Sequence, residues 1–220
     1  MADLVIGGTS GLGLELARAL TGETDQVIIT GRHDPQEDNL EYRQLDLNGP
    51  GLPQRIGEFA MALPEVKTLV YAAGFAQMGR LAELSNEQIE AMLDVGERAM
   101  VYFVRDILRK QGQLAELILI TSTSQWTPRQ YEPIYNLVKA AEGMFGNAMA
   151  EDGRVDRVLV AGPAGMRTGF WRNNPEQDQT DMLDPKWVSD QVMLQRAEDY
   201  RYRFVKILRL PPRVELVESR

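Results

Sequence analysis

Short apolar runs alternate with helix-period segments along the chain. Leu4-Val5-Ile6 reads as a strand, and Leu12 to Leu20 as a helix with Leu12, Leu16, Ala19 and Leu20 inward. Val27-Ile28-Ile29 is the next strand, and Tyr42 to Leu45 a weaker one. Leu52 to Leu63 is helical and stops before Pro64, and Leu69 to Ala72 is a strand. Ser85 with Gln88 three residues on forms a capping box that opens a long helix to about Lys110. Leu117 to Ile120 is continuously apolar, as in a central parallel strand. Pro133 starts a helix whose apolar side is read as Leu137, Ala140, Ala141, Met144, Phe145 and Ala148. Val158-Leu159-Val160 is a further strand, and Asp184-Pro185 an N-cap followed by a first-turn proline. Phe204 to Leu210 extends that helix or forms a strand, and Arg213 to Val217 is favoured as the last strand. This alternation predicts an α/β fold with a parallel sheet covered on both faces, in one domain over residues 1–220. Thr168 to Asp184, rich in Asn, Gln, Asp and Thr, is expected to be mobile and to form a lid with Trp171.

Composition narrows the chemistry. With 220 residues the chain is long enough for a substantial core. Its net charge of −8 argues against nucleic acid as a partner, because phosphate contacts need clustered Lys and Arg. The basic run Arg201, Arg203, Lys206, Arg209 and Arg213 reads as a solvated face. The absence of cysteine excludes disulfides, thiol catalysis and cysteine-ligated metals, and the single histidine, His33, rules out a His-rich metal site and argues against a Ser-His-Asp triad. No apolar run approaches the roughly 18 residues of a membrane span. A cytoplasmic protein with no membrane partner is expected.

Two segments carry candidate chemistry. Gly7-Gly8-Thr9-Ser10-Gly11-Leu12-Gly13 lies between the first strand and the first helix. Glycine lets backbone approach a pyrophosphate there, and the helix N-terminus offers free N–H groups, which points to a dinucleotide. At the end of the second strand, Thr30-Gly31-Arg32 lacks the acidic residue that would bond the ribose hydroxyls of NAD. Arg32 suits a 2′-phosphate, so NADP(H) is preferred over NAD(H). In the second segment Tyr135 precedes Lys139 by one helical turn, so phenol and ammonium share a face. The ammonium is expected to lower the phenol's pKa and make Tyr135 an acid/base usable near neutral pH.

Together these segments resemble the short-chain dehydrogenase/reductase family from Leu4 to about Thr168. The glycine turn is similar to its Thr-Gly-x-x-x-Gly-x-Gly motif, with Ile6 in the threonine's place. Tyr71-Ala72-Ala73-Gly74 resembles the Asn-Asn-Ala-Gly motif with both asparagines lost, and Ser122 lies thirteen residues before Tyr135. The resemblance implies a single Rossmann-type doubly wound sheet and a carbonyl reductase or alcohol dehydrogenase acting on a small carbonyl or alcohol substrate. It implies Ser122, Tyr135 and Lys139 as catalytic residues. It implies a cofactor site from Gly7, Thr9, Ser10, Gly11, Leu12, Gly13, Arg32, Asp46, Leu47, Ala72, Ala73, Gly74, Tyr135, Lys139, Pro163, Met166 and Thr168. Ala164 stands where the family has glycine. Gly96, in Leu93-Asp94-Val95-Gly96, stands where the family has a fourth catalytic residue, an asparagine that holds a relay water at a helix kink. Glycine favours the break but supplies no side chain. These departures leave open a non-catalytic NADP-binding sensor or partner protein, and an isomerase or dehydratase on the same scaffold. The family's habit implies a homodimer or homotetramer through the fourth and fifth helices, with Met144, Phe145, Ala148 and Met149 contributing. Phe75, Ala76, Met78, Gln125, Trp126, Gln130 and Tyr131 are expected near the substrate.

Overall fold

The computed structural model describes residues 1–24, 26–174 and 176–220. Eight strands form one sheet in the order β3-β2-β1-β4-β5-β6-β7-β8. In chain order they are β1 Ala2–Ile6, β2 Val27–Gly31, β3 Glu41–Gln44, β4 Val66–Tyr71, β5 Leu114–Ile120, β6 Val155–Pro163, β7 Tyr202–Arg209 and β8 Pro212–Ser219. The first seven pair in parallel, and β8 closes the sheet as an antiparallel hairpin with β7. Phe204 to Leu210 is therefore mostly strand rather than helix, and Arg213 to Val217 is the last strand as favoured.

Alternate side chains of the central strands feed two cores. Leu4, Leu69, Leu117 and Val158 pack on one face, and Val5, Val70, Ile118 and Leu159 on the other. The first face carries helices α2 (Leu52–Ala62), α4 (Ala99–Gln111) and α5 (Pro133–Met149), and the second carries α1 (Gly11–Leu20) and α6 (Pro185–Arg196). Burial on both faces is why the strands read as unbroken apolar runs. The strand order reverses between β1 and β4, and a doubly wound sheet opens its ligand crevice at the carboxyl ends there. Among the described residues, no helix is long and apolar enough to cross a membrane.

The long helix is interrupted. Helix α3 (Asn86–Leu93), opened by the expected Ser85–Gln88 capping box, joins α4 through a π-turn at Asp94–Arg98. Gly96 lies in that turn because α5 presses against it: a Cβ there would stand 2.2 Å from Val138 Cγ1. The Tyr71 hydroxyl donates to the carbonyl of Val95 in the same turn.

Helix α5 corrects the expected apolar side. Leu137 and Met144 are 50% and 68% exposed, whereas the buried positions are Ile134, Tyr135, Val138, Lys139, Glu142, Gly143 and Gly146. The inward face mixes Ile134, Tyr135 and Val138 with two glycines and the Lys139–Glu142 pair, and Phe145 packs on the core at its flank, so hydrophobicity alone misplaces the face. In α1 the buried alanine is Ala17 rather than Ala19. The Thr168–Asp184 segment is tied down at its ends. Met166 bridges to Leu183, and the Trp171 indole donates to Met166 O at 2.9 Å. Pro175, within the segment expected to be mobile, lies outside the described residues.

At the amino ends of the strands, buried Glu116 receives Arg196 Nε at 2.6 Å and an Arg157 guanidinium nitrogen at 2.5 Å, tying β5, β6 and α6 together. Removing the carboxylate takes from Arg157 its ion-pair partner and leaves Arg196 with Glu23 alone, in a partly desolvated place. Glu116→Ala is expected to destabilise the protein by about 3–5 kcal/mol, read from chemical denaturation. Asparagine at position 96, the residue the family carries there, cannot enter without displacing Val138. Gly96→Asn is expected to cost about 1–3 kcal/mol. Adding Val138→Ala should recover part of that loss in the same denaturation measurement.

Candidate functional site

A cleft of about 640 Å³ opens at the carboxyl ends of β1, β2, β4, β5 and β6. Gly7, at φ 79°, turns the chain out of β1, and a Cβ there would stand 2.6 Å from Ala73 Cα. Only a glycine lets these two backbones pass so closely. Ser10 precedes α1 without making a side-chain cap, so the first-turn N–H groups keep their capacity for an anion. That uncapped, glycine-lined helix start fits a pyrophosphate.

The cleft continues past the ends of β2 and β3. Arg32 is exposed at its rim, beside Asp46 and Leu47. The Thr9 hydroxyl occupies the space beside Gly31: a Cβ there would stand 2.1 Å from Thr9 Oγ1. Asp46 also closes its own turn, accepting from Asn48 N at 3.0 Å. On the opposite side Pro163, Met166 and Thr168 follow β6 into the cleft. Thr168 accepts from Phe170 N at 3.3 Å and lies against Gly11, where a Cβ would meet its side chain at 3.3 Å. The two halves of the cleft therefore meet over the glycine turn.

Ser122, Tyr135 and Lys139 line the same cleft. Ser122 lies two residues after β5 and caps the following turn, accepting from Ser124 N at 3.1 Å. Asn136, the residue after Tyr135, fixes that turn to α5. Its amide donates to Ser124 O at 2.5 Å and Thr127 O at 2.7 Å, and its oxygen accepts from Arg129 N at 3.2 Å. Serine turn and tyrosine helix are thereby one rigid unit. The Phe170 ring covers Tyr135 at 5.7 Å between centroids.

The electrostatics overturn one expectation. Burial pushes the Tyr135 phenol above its ordinary range; Lys139 pulls it down, Glu142 pushes it up, and Ser122 pulls it down less. The net shift is upward, not toward neutrality. Desolvation is the largest cause, and the partner of Lys139 adds to it. Its ammonium, 3% exposed, donates to Glu142 Oε2 at 2.8 Å, Oε1 at 3.0 Å and Ile120 O at 3.1 Å. A nearby carboxylate offsets the field the ammonium would exert on the phenol. Burial alone would lower the Lys139 pKa, but Glu142 and Tyr135 raise it on balance. Burial pushes the Glu142 carboxyl up to about 7 against the pull of Lys139.

Of the residues expected near a substrate, Phe75 and Met78 line the cleft. Trp126 instead packs on Phe204 at 5.7 Å, and Gln125 lies beneath Gly143 and accepts from Thr121 Oγ1 at 2.7 Å. Ala76 is buried, Tyr131 packs against Arg80 at 5.7 Å, and Gln130 is exposed. Sequence reasoning missed Arg129, Glu132, Phe170 and Arg209, which line the cleft, and Glu142 beneath it. Arg209, from the basic run expected to be solvated, faces the crevice at the end of β7. Glu142 alone carried a signal: a charge three residues after Lys139, on a face otherwise buried.

Residues 2–179 match the family model described as short chain dehydrogenase. An NADP-dependent 3-hydroxy acid dehydrogenase of Escherichia coli strain K12 is 29% identical over 167 residues, 69% of this chain and 66% of that enzyme. The chain thus spans just under two thirds of that relative. A closed-form serine dehydrogenase complexed with NADP+ superposes with a TM-score of 0.79 at 25% identity, covering 93% of this chain and 94% of the other. A short chain dehydrogenase/reductase family protein superposes with a TM-score of 0.82 at 20% identity, over 94% and 95% of the two chains. A sheet wound in this order, a glycine turn that crosses Ala73 and a match over most of the chain agree: this protein belongs to the short-chain dehydrogenase/reductase family.

Proposed function

We propose that this protein is an NADP(H)-dependent oxidoreductase that interconverts a carbonyl and an alcohol, with Tyr135 as general acid and base. One observation carries the reading: Ser122, Tyr135 and Lys139 converge on the cleft that also holds the glycine turn and Thr168. The nicotinamide, when bound, supplies or accepts the hydride. Ser122 hydrogen-bonds the substrate oxygen and fixes its place, and Tyr135 gives that oxygen a proton in reduction or removes one in oxidation. Lys139 would hold the nicotinamide ribose, giving up one of the contacts its ammonium makes with Glu142 and Ile120 to do so. Gly7, Thr9, Ser10, Gly11, Leu12 and Gly13 would receive the pyrophosphate, and Asp46, Leu47, Ala72, Ala73 and Gly74 the adenosine and central portions. Pro163, Met166 and Thr168 would hold the carboxamide end.

A phenol held above its ordinary pKa is protonated at neutral pH. It is ready to donate, which suits carbonyl reduction. Oxidation needs the phenolate and gains rate as pH rises. The same shift favours the second reading, a cofactor-binding protein with little turnover, because a strongly held proton transfers less readily. The exposed stripe Leu137, Ala140, Met144 and Ala148 on α5 supports assembly as a homodimer or homotetramer.

NADPH consumption over a panel of ketones, aldehydes and quinones tests the reading. Tyr135→Phe is expected to lower kcat by roughly 10²–10⁴-fold while NADPH binding persists. Unchanged turnover in this variant rejects the role. Tight NADPH binding without turnover on any member of the panel selects the second reading. Arg32→Ala is expected to weaken NADPH binding by about tenfold or more and leave NADH little changed, read by fluorescence titration. Equal loss for both cofactors would remove Arg32 from 2′-phosphate recognition.

A further inference from the structure

The Lys139 ammonium is enclosed, and what encloses it comes from its own helix. Glu142 is 1% exposed and lies one turn after Lys139. Both of its carboxylate oxygens accept from Lys139 Nζ, which also reaches the last carbonyl of β5. The carboxylate lies against the π-turn: a Cβ on Gly96 would meet Glu142 Oε1 in ordinary contact at 3.5 Å, whereas it would stand 2.2 Å from Val138 Cγ1. The position that lacks the asparagine thus borders the carboxylate under the lysine, and Val138 is what excludes a side chain there.

We propose that Glu142 is a positioning residue for the Tyr135–Lys139 pair: it anchors the lysine ammonium at the end of β5 and, by offsetting its charge, sets the pH range in which Tyr135 exchanges a proton. This rests on the assignment of Tyr135 as the acid and base. The groups facing Glu142 are few. Lys139 and Tyr135 come from α5 itself, and Tyr71 comes from β4, its phenol held far above the ordinary range by burial and by Glu142. The π-turn presents the Gly96 backbone, its Asp94 being paired with Arg98. Glu132, at the head of α5, acts on Tyr135 more weakly than Glu142 does. Lys139 is therefore the cation that both Glu142 and Tyr135 share. Neutralising Glu142 removes a negative charge that opposes the phenolate.

Glu142→Gln keeps the shape and an acceptor while removing the charge. It is expected to move the Tyr135 ionisation down by about one pH unit or more. This is read as the phenolate ultraviolet absorbance lost between each protein and its Tyr135→Phe counterpart along a pH titration. That readout does not depend on turnover. In the NADPH assay the pH profile of kcat should move in the same direction. Glu142→Asp, which keeps the charge, should hold the Tyr135 ionisation close to that of the parent. A lower melting temperature in Glu142→Gln with an unmoved Tyr135 ionisation would overturn the proposal and leave Glu142 a structural residue. A moved ionisation in a protein whose turnover survives Tyr135→Phe would instead uphold the charge coupling and reject Tyr135 as the acid and base.

Discussion

A lysine ammonium sealed inside the protein is the constraint around which the site is built. Burying such a charge is costly unless it is paired and its protons are all accepted. Lys139 meets this with two oxygens of Glu142 and the carbonyl of Ile120. The carbonyl requires α5 to lie close over the end of β5. The carboxylate requires room on the inner face of the helix, where the turn at Gly96 packs against Val138 and Glu142. Once α5 sits there, Tyr135 is fixed in the cleft, and Asn136 secures the Ser122 turn to the same helix. The geometry of the cleft thus follows from where one positive charge is tolerated.

Close backbone approach plays the matching part on the cofactor side. Gly7 passes within contact of Ala73, so the ends of β1 and β4 converge and the crevice has a floor. Thr168 closes over Gly11 from the far side. These approaches are backbone against backbone or against a short side chain, and they leave the helix N–H groups as the polar surface. The distant Glu116 cluster has the opposite character. It uses long side chains to lock β5, β6 and α6 at the amino ends, where nothing needs to approach.

The parts legible in the sequence were those set by local chemistry. Strands buried on both faces are continuous apolar runs, and turn glycines and caps such as Ser85 and Asp184 act within one turn of the chain. The inward face of α5 is not legible in the sequence, because hydrophobicity does not mark burial there. Here the buried positions include Lys139, Glu142 and two glycines, while Leu137 and Met144 face outward. The β7–β8 hairpin was ambiguous because alternating Arg, Lys and Glu suit an edge strand and a helix alike. The pKa of Tyr135 was placed on the wrong side because spacing reveals Lys139 but neither the desolvation nor the counter-charge that decides the balance. Those are tertiary quantities.

Two departures from the family's pattern look independent in the sequence and meet in space. Tyr71 stands where the first asparagine of the Asn-Asn-Ala-Gly motif is lost, and Gly96 where the helix asparagine is lost. The Tyr71 hydroxyl donates to the carbonyl of Val95, next to Gly96, inside the π-turn. A π-turn leaves carbonyls less well satisfied than a regular helix, and a buried phenol kept protonated is a suitable donor to one of them. Glu142 then fills the inner side of that turn and meets the lysine. Random decay of a motif would leave unsatisfied polar groups or voids at the replaced positions. Here the Tyr71 hydroxyl is bonded within the turn, Val138 fills the space at Gly96, and Glu142 is bonded to Lys139. The altered motif is thus a packed support for α5 with its polar groups satisfied, rather than a void left by lost side chains.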